Sequence, residues 1–324
     1  MALEDAASQI DHAFTRDDLR GLSFEAPFAG ATSFLRRRYS HDLSGVDLAV
    51  LGVPFDQAVT NRPGARFGPR AIREASALQP GDPPFGWPFD MLTACAIVDT
   101  GDLAFDYAET ARFPAALQER AAQIIASGAP LLALGGDHSI TLPLLRAHAA
   151  RHGPLGLVHF DAHSDLWQDD SPARIDHGTF LYKAMREGLV DPARAVQVGI
   201  RTAGPSWPGV TQIAAREVHE AGVAATVARI RAVAGAGPVY LTFDIDALDP
   251  AFAPGTGTPV WGGLASWQAA ALLRELAGVN VVGADVVEVS PPYDAGAVTA
   301  VAGAHVAVEL ACLCLWPRAG FAGA

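Results

Sequence analysis

Cysteine is scarce in this chain: three residues in 324, Cys95, Cys312 and Cys314. The odd count, with no C-x-x-C pair and no zinc-finger spacing, excludes a disulfide framework and fits buried, reduced thiols in a cytoplasmic protein. Positive charge is also short, with 23 Lys and Arg against 35 Asp and Glu and a net charge of −12. That balance argues against nucleic acid or a membrane surface as a partner, since both are recognised through phosphate. It is mildly favourable to a small cationic substrate. Long uncharged apolar runs are missing, and nothing with suitable flanks reaches the ~18 residues of a membrane span. The nearest approach, "VTAVAGAHVAVELACLCLW", contains His305 and Glu309 and reads as a buried final helix. The first twenty residues are charged throughout and lack the apolar stretch of a signal peptide.

Hydrophobic residues make up 50% of the chain and charged residues 18%, the composition of a globular protein. No repeat or low-complexity linker divides it. One domain over residues 1–324 is expected, with 1–44 as a lead segment packed on it. Six short apolar runs read as strands: 46–56, 130–138, 155–163, 195–201, 238–246 and 280–290. Each is nearly continuous in Val, Leu and Ile, as a strand covered on both faces should be. Helical patterns fall between them at 113–128, 141–153, 222–237 and 265–278. The alternation predicts an α/β fold with a mostly parallel sheet and helices on both sides. The Pro/Gly-rich pieces 79–90 and 201–209 are expected to be ordered surface loops.

Ligands of open parallel sheets sit outside the carboxyl ends of the strands, and the acidic clusters fall there. "GGDHS" follows "LLAL", "DAHSD" follows "LVHF", "DIDALDP" follows "VYLTF", and "VVEVSPP" holds the same place on a later strand. Together the first three supply His138, Asp161, His163, Asp165, Asp244 and Asp246 as candidate metal ligands. If the chain stays extended, i, i+2 and i+4 point the same way. A lone Asp-x-Asp usually marks a turn or a cap, but three such clusters on neighbouring strand ends are a different signal. Four crowded carboxylates repel one another. Two divalent cations bring about four positive charges against them, so a two-metal site ~3.5 Å across is expected. Oxygen-rich ligation with two imidazoles favours Mn2+ over zinc. His159 is expected to face away from the ligands, in the core or behind them. His305 is read as structural, and His12, His41, His148, His152 and His219 as surface residues. The glycines of "APGTGTP" (253–259) lack the strand and lysine of a phosphate loop.

These motifs resemble those of the ureohydrolases, the family of arginases, agmatinases and guanidino-acid hydrolases. "GGDHS", "HFDAHSD" and "LTFDIDALDPAFAPGTGTP" match its three metal signatures, and "GVPFDQAVTNRPGARFGPRAIREAS", "IDHGTFLYKAMREGLVDP" and "VVGADVVEVSPPYD" look most like bacterial agmatinases. The resemblance covers roughly residues 45 to 315. It implies a three-layer α/β/α fold with a sheet of about eight strands, and two Mn2+ ions per chain. One ion would be held by His138, Asp161, Asp165 and Asp244, the other by His163, Asp161, Asp244 and Asp246. His177, in "DHGT", matches the family's active-site histidine, and Glu288 matches the residue that grips guanidinium. "DAHSDLW" departs from the Thr and Thr-Tyr usual at Ser164, Leu166 and Trp167, which touches the pocket wall and no ligand.

The expected reaction is hydrolysis of agmatine to urea and putrescine by a metal-bridging hydroxide. Glu288 would hold the guanidinium, Asp165 would protonate the departing amine, and His177 would shuttle the proton. A free ammonium tail suits the acidic loop "LWQDDSPARID", with Asp169, Asp170 and Asp176 against Arg174. Three readings stand beside this one: a guanidino-acid hydrolase or arginase, a mononuclear zinc deacetylase of the same fold, and a non-catalytic relative. Family analogy implies a homo-oligomer, a trimer or hexamer.

Overall fold

The computed structural model describes residues 18–21, 26–79 and 84–321. Among them nine strands form one sheet, in the order β1-β3-β2-β4-β9-β8-β5-β6-β7, every pair parallel. The six expected strands are β2 (Leu48–Val53), β4 (Leu131–Gly135), β5 (Leu155–Phe160), β6 (Val190–Ile200), β8 (Val239–Asp244) and β9 (Val281–Val287). Apart from the first half of β6, nearly every residue in them is buried, because helices cover both faces of the sheet. Three further strands were not expected. They are β1 (Arg38–Tyr39), β3 (Ile97–Asp102) and β7 (Thr211–Ala214), which fill the two sides of the sheet. All three are short or polar, and β3 carries Asp99 and Asp102 because Arg73 reaches them from a neighbouring helix at 2.8 and 2.5 Å.

Helices α1 (Gly68–Ser76), α6 (Ala215–Ala234), α7 (Ser266–Arg274) and α8 (Val298–Leu315) bury Ile72, Ile230, Leu272 and Leu310 on one face of the sheet. On the other face α3 (Phe113–Ala126), α4 (Thr141–His152) and α5 (Phe180–Arg186) bury Leu117, Leu144 and Phe180. A short turn, α2 (Met91–Ala94), precedes β3. Helix α6 is longer than expected because it runs through a kink at Gly222, whose φ is 81°. By length and composition α8 could cross a membrane, but 78% of it is buried inside the fold, as a core helix is. His305 and Val298 are its exposed residues. His148 overturns the expectation of a surface residue: it lies on the sheet-facing side of α4, fully buried, with Nδ1 2.8 Å from the Leu144 carbonyl oxygen. All three cysteines are buried and unpaired with one another. Of the lead segment, residues 1–17 (with His12) and 22–25 lie outside the described residues, as do 80–83 in the Pro/Gly-rich stretch. Arg20 does pair with Asp47 at 3.0 Å.

Along the chain β1 to β4 build one side of the sheet, β5, β6 and β7 run outward on the other, and β8 and β9 return between β4 and β5. The crevice of an open α/β sheet forms at such a reversal. The four strands whose ends carry the acidic clusters are therefore adjacent: β4, β9, β8 and β5.

Candidate metal centre

The first three clusters leave their strands through one local device, which Asp176 repeats in the turn before His177. The carboxylate of an aspartate turns back to accept the backbone N–H two residues on: Asp137 from Ser139 at 3.0 Å, Asp161 from His163 at 2.6 Å, Asp176 from Gly178 at 3.0 Å and Asp244 from Asp246 at 2.8 Å. Such Asx turns are what aspartate favours outside regular structure. They correct the expectation of an extended chain, since β5 stops at Phe160 and β8 at Asp244, and the ligand spacing comes from turns. Asp165 and Glu288 go further and adopt left-handed backbone, at φ 50° and 64°. Non-glycine residues hold that conformation at a cost, and they do so most often at functional sites. Before His138, Gly136 is required by close approach, because a Cβ there would overlap the Phe55 carbonyl oxygen.

All six candidate ligands come together. Nδ1 of His138 lies 3.1 Å from Asp161 Oδ2, 3.2 Å from Asp165 Oδ2 and 3.2 Å from Asp244 Oδ2. Nδ1 of His163 lies 3.3 Å from Asp161 Oδ1 and 3.1 Å from Asp246 Oδ2. Asp161 thus presents one oxygen to each group, the posture of a bridging carboxylate. Two groups of side chains lie close enough to hold metal ions, His138, His159, Asp161 and Asp165 in one and Asp161, His163 and Asp246 in the other.

The electrostatics make a cation the natural occupant. Burial, then repulsion by Asp246 and Asp161, pushes the Asp244 carboxyl well above the usual range. Burial would lower His163, yet Asp161 and Asp246 raise it to about 12. Burial would raise Asp161, but His138, His159 and His163 hold it well below the ordinary carboxylate value. His138 Nδ1, meanwhile, is buried among three carboxylate oxygens with no hydrogen bond aligned to any of them. Burial would lower His138, but Asp161, Asp165 and Asp244 raise it well above the usual histidine value, so a proton or a cation must stand between Nδ1 and these oxygens, and the donor set fits divalent ions.

Beside this cluster His177 and Glu288 meet, with Nδ1 2.9 Å from Oε1. Oε1 also accepts the His138 backbone N–H at 3.0 Å, while Oε2 is buried with no partner. Gly257 keeps that oxygen uncovered, since a Cβ would stand 3.3 Å from it. The sequence places "APGTGTP" within a metal signature but assigns its glycines no contact, and here Gly257 has one. Burial would lower His177, but Glu288 outweighs it and raises the imidazole to about 9. Thr60, which the sequence did not single out, offers both a hydroxyl at 3.0 Å and a backbone N–H at 3.2 Å to Nε2. Asp137 was unassigned as well. It ties the segment before Thr60 to the site by accepting the Ala58 N–H at 3.0 Å.

A cavity of about 380 Å³ opens above, walled by Thr60, His163, Asp165, Trp167, Asp176 and His177. A larger hollow of about 690 Å³ lies behind the loop 168–176 and contains no such cluster of ligand groups, so the chemistry belongs to the smaller one. The acidic rim is narrower than the sequence suggests. Asp169 is buried and paired with Lys183, the one lysine of the sequence, at 2.8 Å. Asp170 is held by Gln168 and the Tyr182 hydroxyl. Of the three aspartates only Asp176 lines the cavity, paired there with Arg174 at 2.8 Å. His159 lies in the core behind the ligands, as expected, but it does not face away from them. It shares a face with Asp161, as residues two apart on a strand do, and its Nε2 is 2.7 Å from Asp161 Oδ2.

The arginase family model matches residues 46–313. An agmatinase of Chromobacterium violaceum is 52% identical over 304 residues, 94% of each chain. The agmatinase of Neisseria meningitidis serogroup C is 50% identical over 268 residues, 82% of this chain and 87% of the relative. Among solved structures, a hypothetical agmatinase from Burkholderia thailandensis superposes with a TM-score of 0.94 at 52% identity, covering 96% of this chain and 99% of its own. Proclavaminate amidino hydrolase from Streptomyces clavuligerus gives 0.83 at 39%, covering 91% and 100%. On this footing the chain belongs to the arginase family.

Proposed function

We propose that this protein is a binuclear-metal amidinohydrolase that splits agmatine and water into urea and putrescine. The observation that carries the reading is the pair of carboxylate–imidazole groups sharing Asp161, beside a buried carboxylate oxygen, Glu288 Oε2, that has no partner. Relatives named agmatinase at about half identity support the substrate. His138, Asp161, Asp165 and Asp244 would hold one ion, and His163, Asp161, Asp244 and Asp246 the other. Mn2+ is the proposed ion, which suits four carboxylates and two imidazoles. When bound, such a pair supplies Lewis acidity and a water acidified toward neutral pH.

The chain's own residues do the rest. A guanidinium is planar and protonated at every physiological pH, so it needs an anionic, directional partner. Glu288 Oε2 accepts its N–H groups while His177 and the His138 N–H fix the other oxygen, which orients the guanidinium in the cavity beside the carboxylate–imidazole cluster. Asp165, on the cavity wall, passes a proton to the departing amine, and His177 exchanges protons with it. Thr60 can partner Nε2 of His177 in either protonation state, by its hydroxyl when the nitrogen carries a proton and by its N–H when it does not.

The proposed protein acts as a single domain over 1–324, in the cytoplasm, where its buried thiols stay reduced, and as a homo-oligomer. Trp261 and Trp267, 87% and 65% exposed, support an assembly surface. Arg174 on the cavity wall favours a second reading, a guanidino acid whose carboxylate it would meet. Urea release from agmatine, 4-guanidinobutyrate, 3-guanidinopropionate and arginine after Mn2+ reconstitution separates the two. Preference for agmatine is expected, and preference for an acid transfers the assignment to the second reading.

A further inference from the structure

One register row crosses five adjacent strands beneath the metal centre. Gln212 on β7 is level with Gln197 on β6, Gln197 with His159 on β5, His159 with Thr242 on β8, and Thr242 with Asp285 on β9. Parallel partners in register point to the same face, here the face that carries α3, α4 and α5. Apart from Asp191 and Arg194 early in β6, Thr211 at the start of β7 and Asp244 at the end of β8, the other side chains of these strands are apolar or aromatic, yet this row is polar in all five, and every member but Gln212 is fully buried. Burying such groups costs free energy unless each is paired.

The pairings have a direction. Gln197 Nε2 lies 2.7 Å from the Ser164 carbonyl oxygen, which can only accept, so that atom is the amide nitrogen. The same NH2 group meets His159 Nδ1 at 2.9 Å, and Oε1 accepts from Gln212 at 2.8 Å. Nδ1 of His159 is therefore an acceptor, and Nε2 bears the proton that it donates to Asp161 Oδ2 at 2.7 Å. On the other arm the Thr242 hydroxyl donates to Asp285 Oδ1 at 2.5 Å, and its oxygen accepts from His138 Nε2 at 2.9 Å. Asp285 is fixed in turn by the hydroxyls of Thr141 at 2.9 Å and Tyr240 at 2.8 Å. With Nε2 of His138 protonated, its lone pair is on Nδ1, the atom that faces the three carboxylates.

We propose that this cross-sheet row sets the tautomers of His138 and His159, so that one imidazole is ready to bind an ion and the other steadies the carboxylate shared between two ions. Gln197, His159, Thr242 and Asp285 are then positioning residues, acting through His138 and Asp161. His159 is excluded as a ligand, because its only nitrogen near the site carries the proton. The proposal rests on the two-ion reading of the site, and its consequence is in metal affinity, where loss of such outer partners typically weakens binding by about 10–100-fold.

The test titrates Mn2+ into metal-stripped protein against a chelating dye. Gln197→Leu and His159→Phe are expected to weaken binding about 10–100-fold, and Gln212→Leu, at the edge of the row, by less. Val198→Ala removes buried volume from the opposite face of β6 and controls for lost stability. The proposal is overturned if Gln197→Leu binds Mn2+ as tightly as the wild type, or no more weakly than Val198→Ala. Should Gln197→Leu fail to fold, long-range 1H–15N spectra of Zn2+-loaded wild-type protein decide. A His159 proton on Nε2 supports the relay, and one on Nδ1 ends it. Wild-type protein that takes up no Mn2+ would instead defeat the two-ion reading, and the His159 spectrum would still judge the relay.

Discussion

His177 and Glu288 share one contact of 2.9 Å, and each gives the other its chemistry. Removing the imidazole with His177→Asn should lower kcat by about 10²–10⁴, the range of general acid–base assistance, with Mn2+ content unchanged. Steady-state kinetics beside elemental analysis check both halves. Glu288→Gln keeps the shape but gives up the charge that meets guanidinium, so KM for agmatine should rise as kcat falls. Away from the site, His148 makes a separate prediction. Burial holds its imidazole down at about 4, against about 6.5 for a free histidine. The unfolded chain takes up that proton first as pH falls, so His148 removes stability between pH 6.5 and 4 and leaves it intact above. The gap corresponds to at most about 3 kcal/mol. Urea unfolding at several pH values should show a shallower acid loss in His148→Leu than in the wild type.

At the scale of elements, the loop 168–176 is held from below. Lys183 on α5 pairs with Asp169 and donates to the carbonyl oxygens of Ser171 at 3.0 Å and Arg174 at 2.5 Å. Lys183→Met should loosen this wall and raise KM for agmatine several-fold more than it lowers kcat, since the chemical groups sit on other elements. Unaffected KM would contradict the role given to the loop. This element also shows where the sequence misleads. Its aspartates look like a rim waiting for an ammonium, but Asp169 and Asp170 serve the loop itself, and nothing in a one-dimensional pattern says which partner an acid has. The central strands were legible because burial on both faces leaves continuous apolar runs, and the ligands because acid and imidazole follow those runs directly. β1, β3 and β7 were hidden by brevity or by buried ion pairs. Thr60 and the polar row under the site matter only through register and loop closure, although Thr242 and Asp285 inside apolar strands were a signal that could have been followed.

For the whole molecule, a net charge of −12 and a cationic substrate predict that kcat/KM for agmatine falls as ionic strength rises, because screening shortens the reach of the field. The fold serves the site at this scale through strand order. Setting β4, β9, β8 and β5 side by side is what brings His138, Glu288, Asp244 and Asp161 within one crevice. The central claim is that these strand ends gather two ions around a shared Asp161. Anomalous diffraction from crystals of the Mn2+-loaded protein tests it most directly. Two peaks are predicted, one against His138 Nδ1 and the other against His163 Nδ1, with Asp161 touching both. A single peak, or none, in well-ordered density for these six side chains would contradict it.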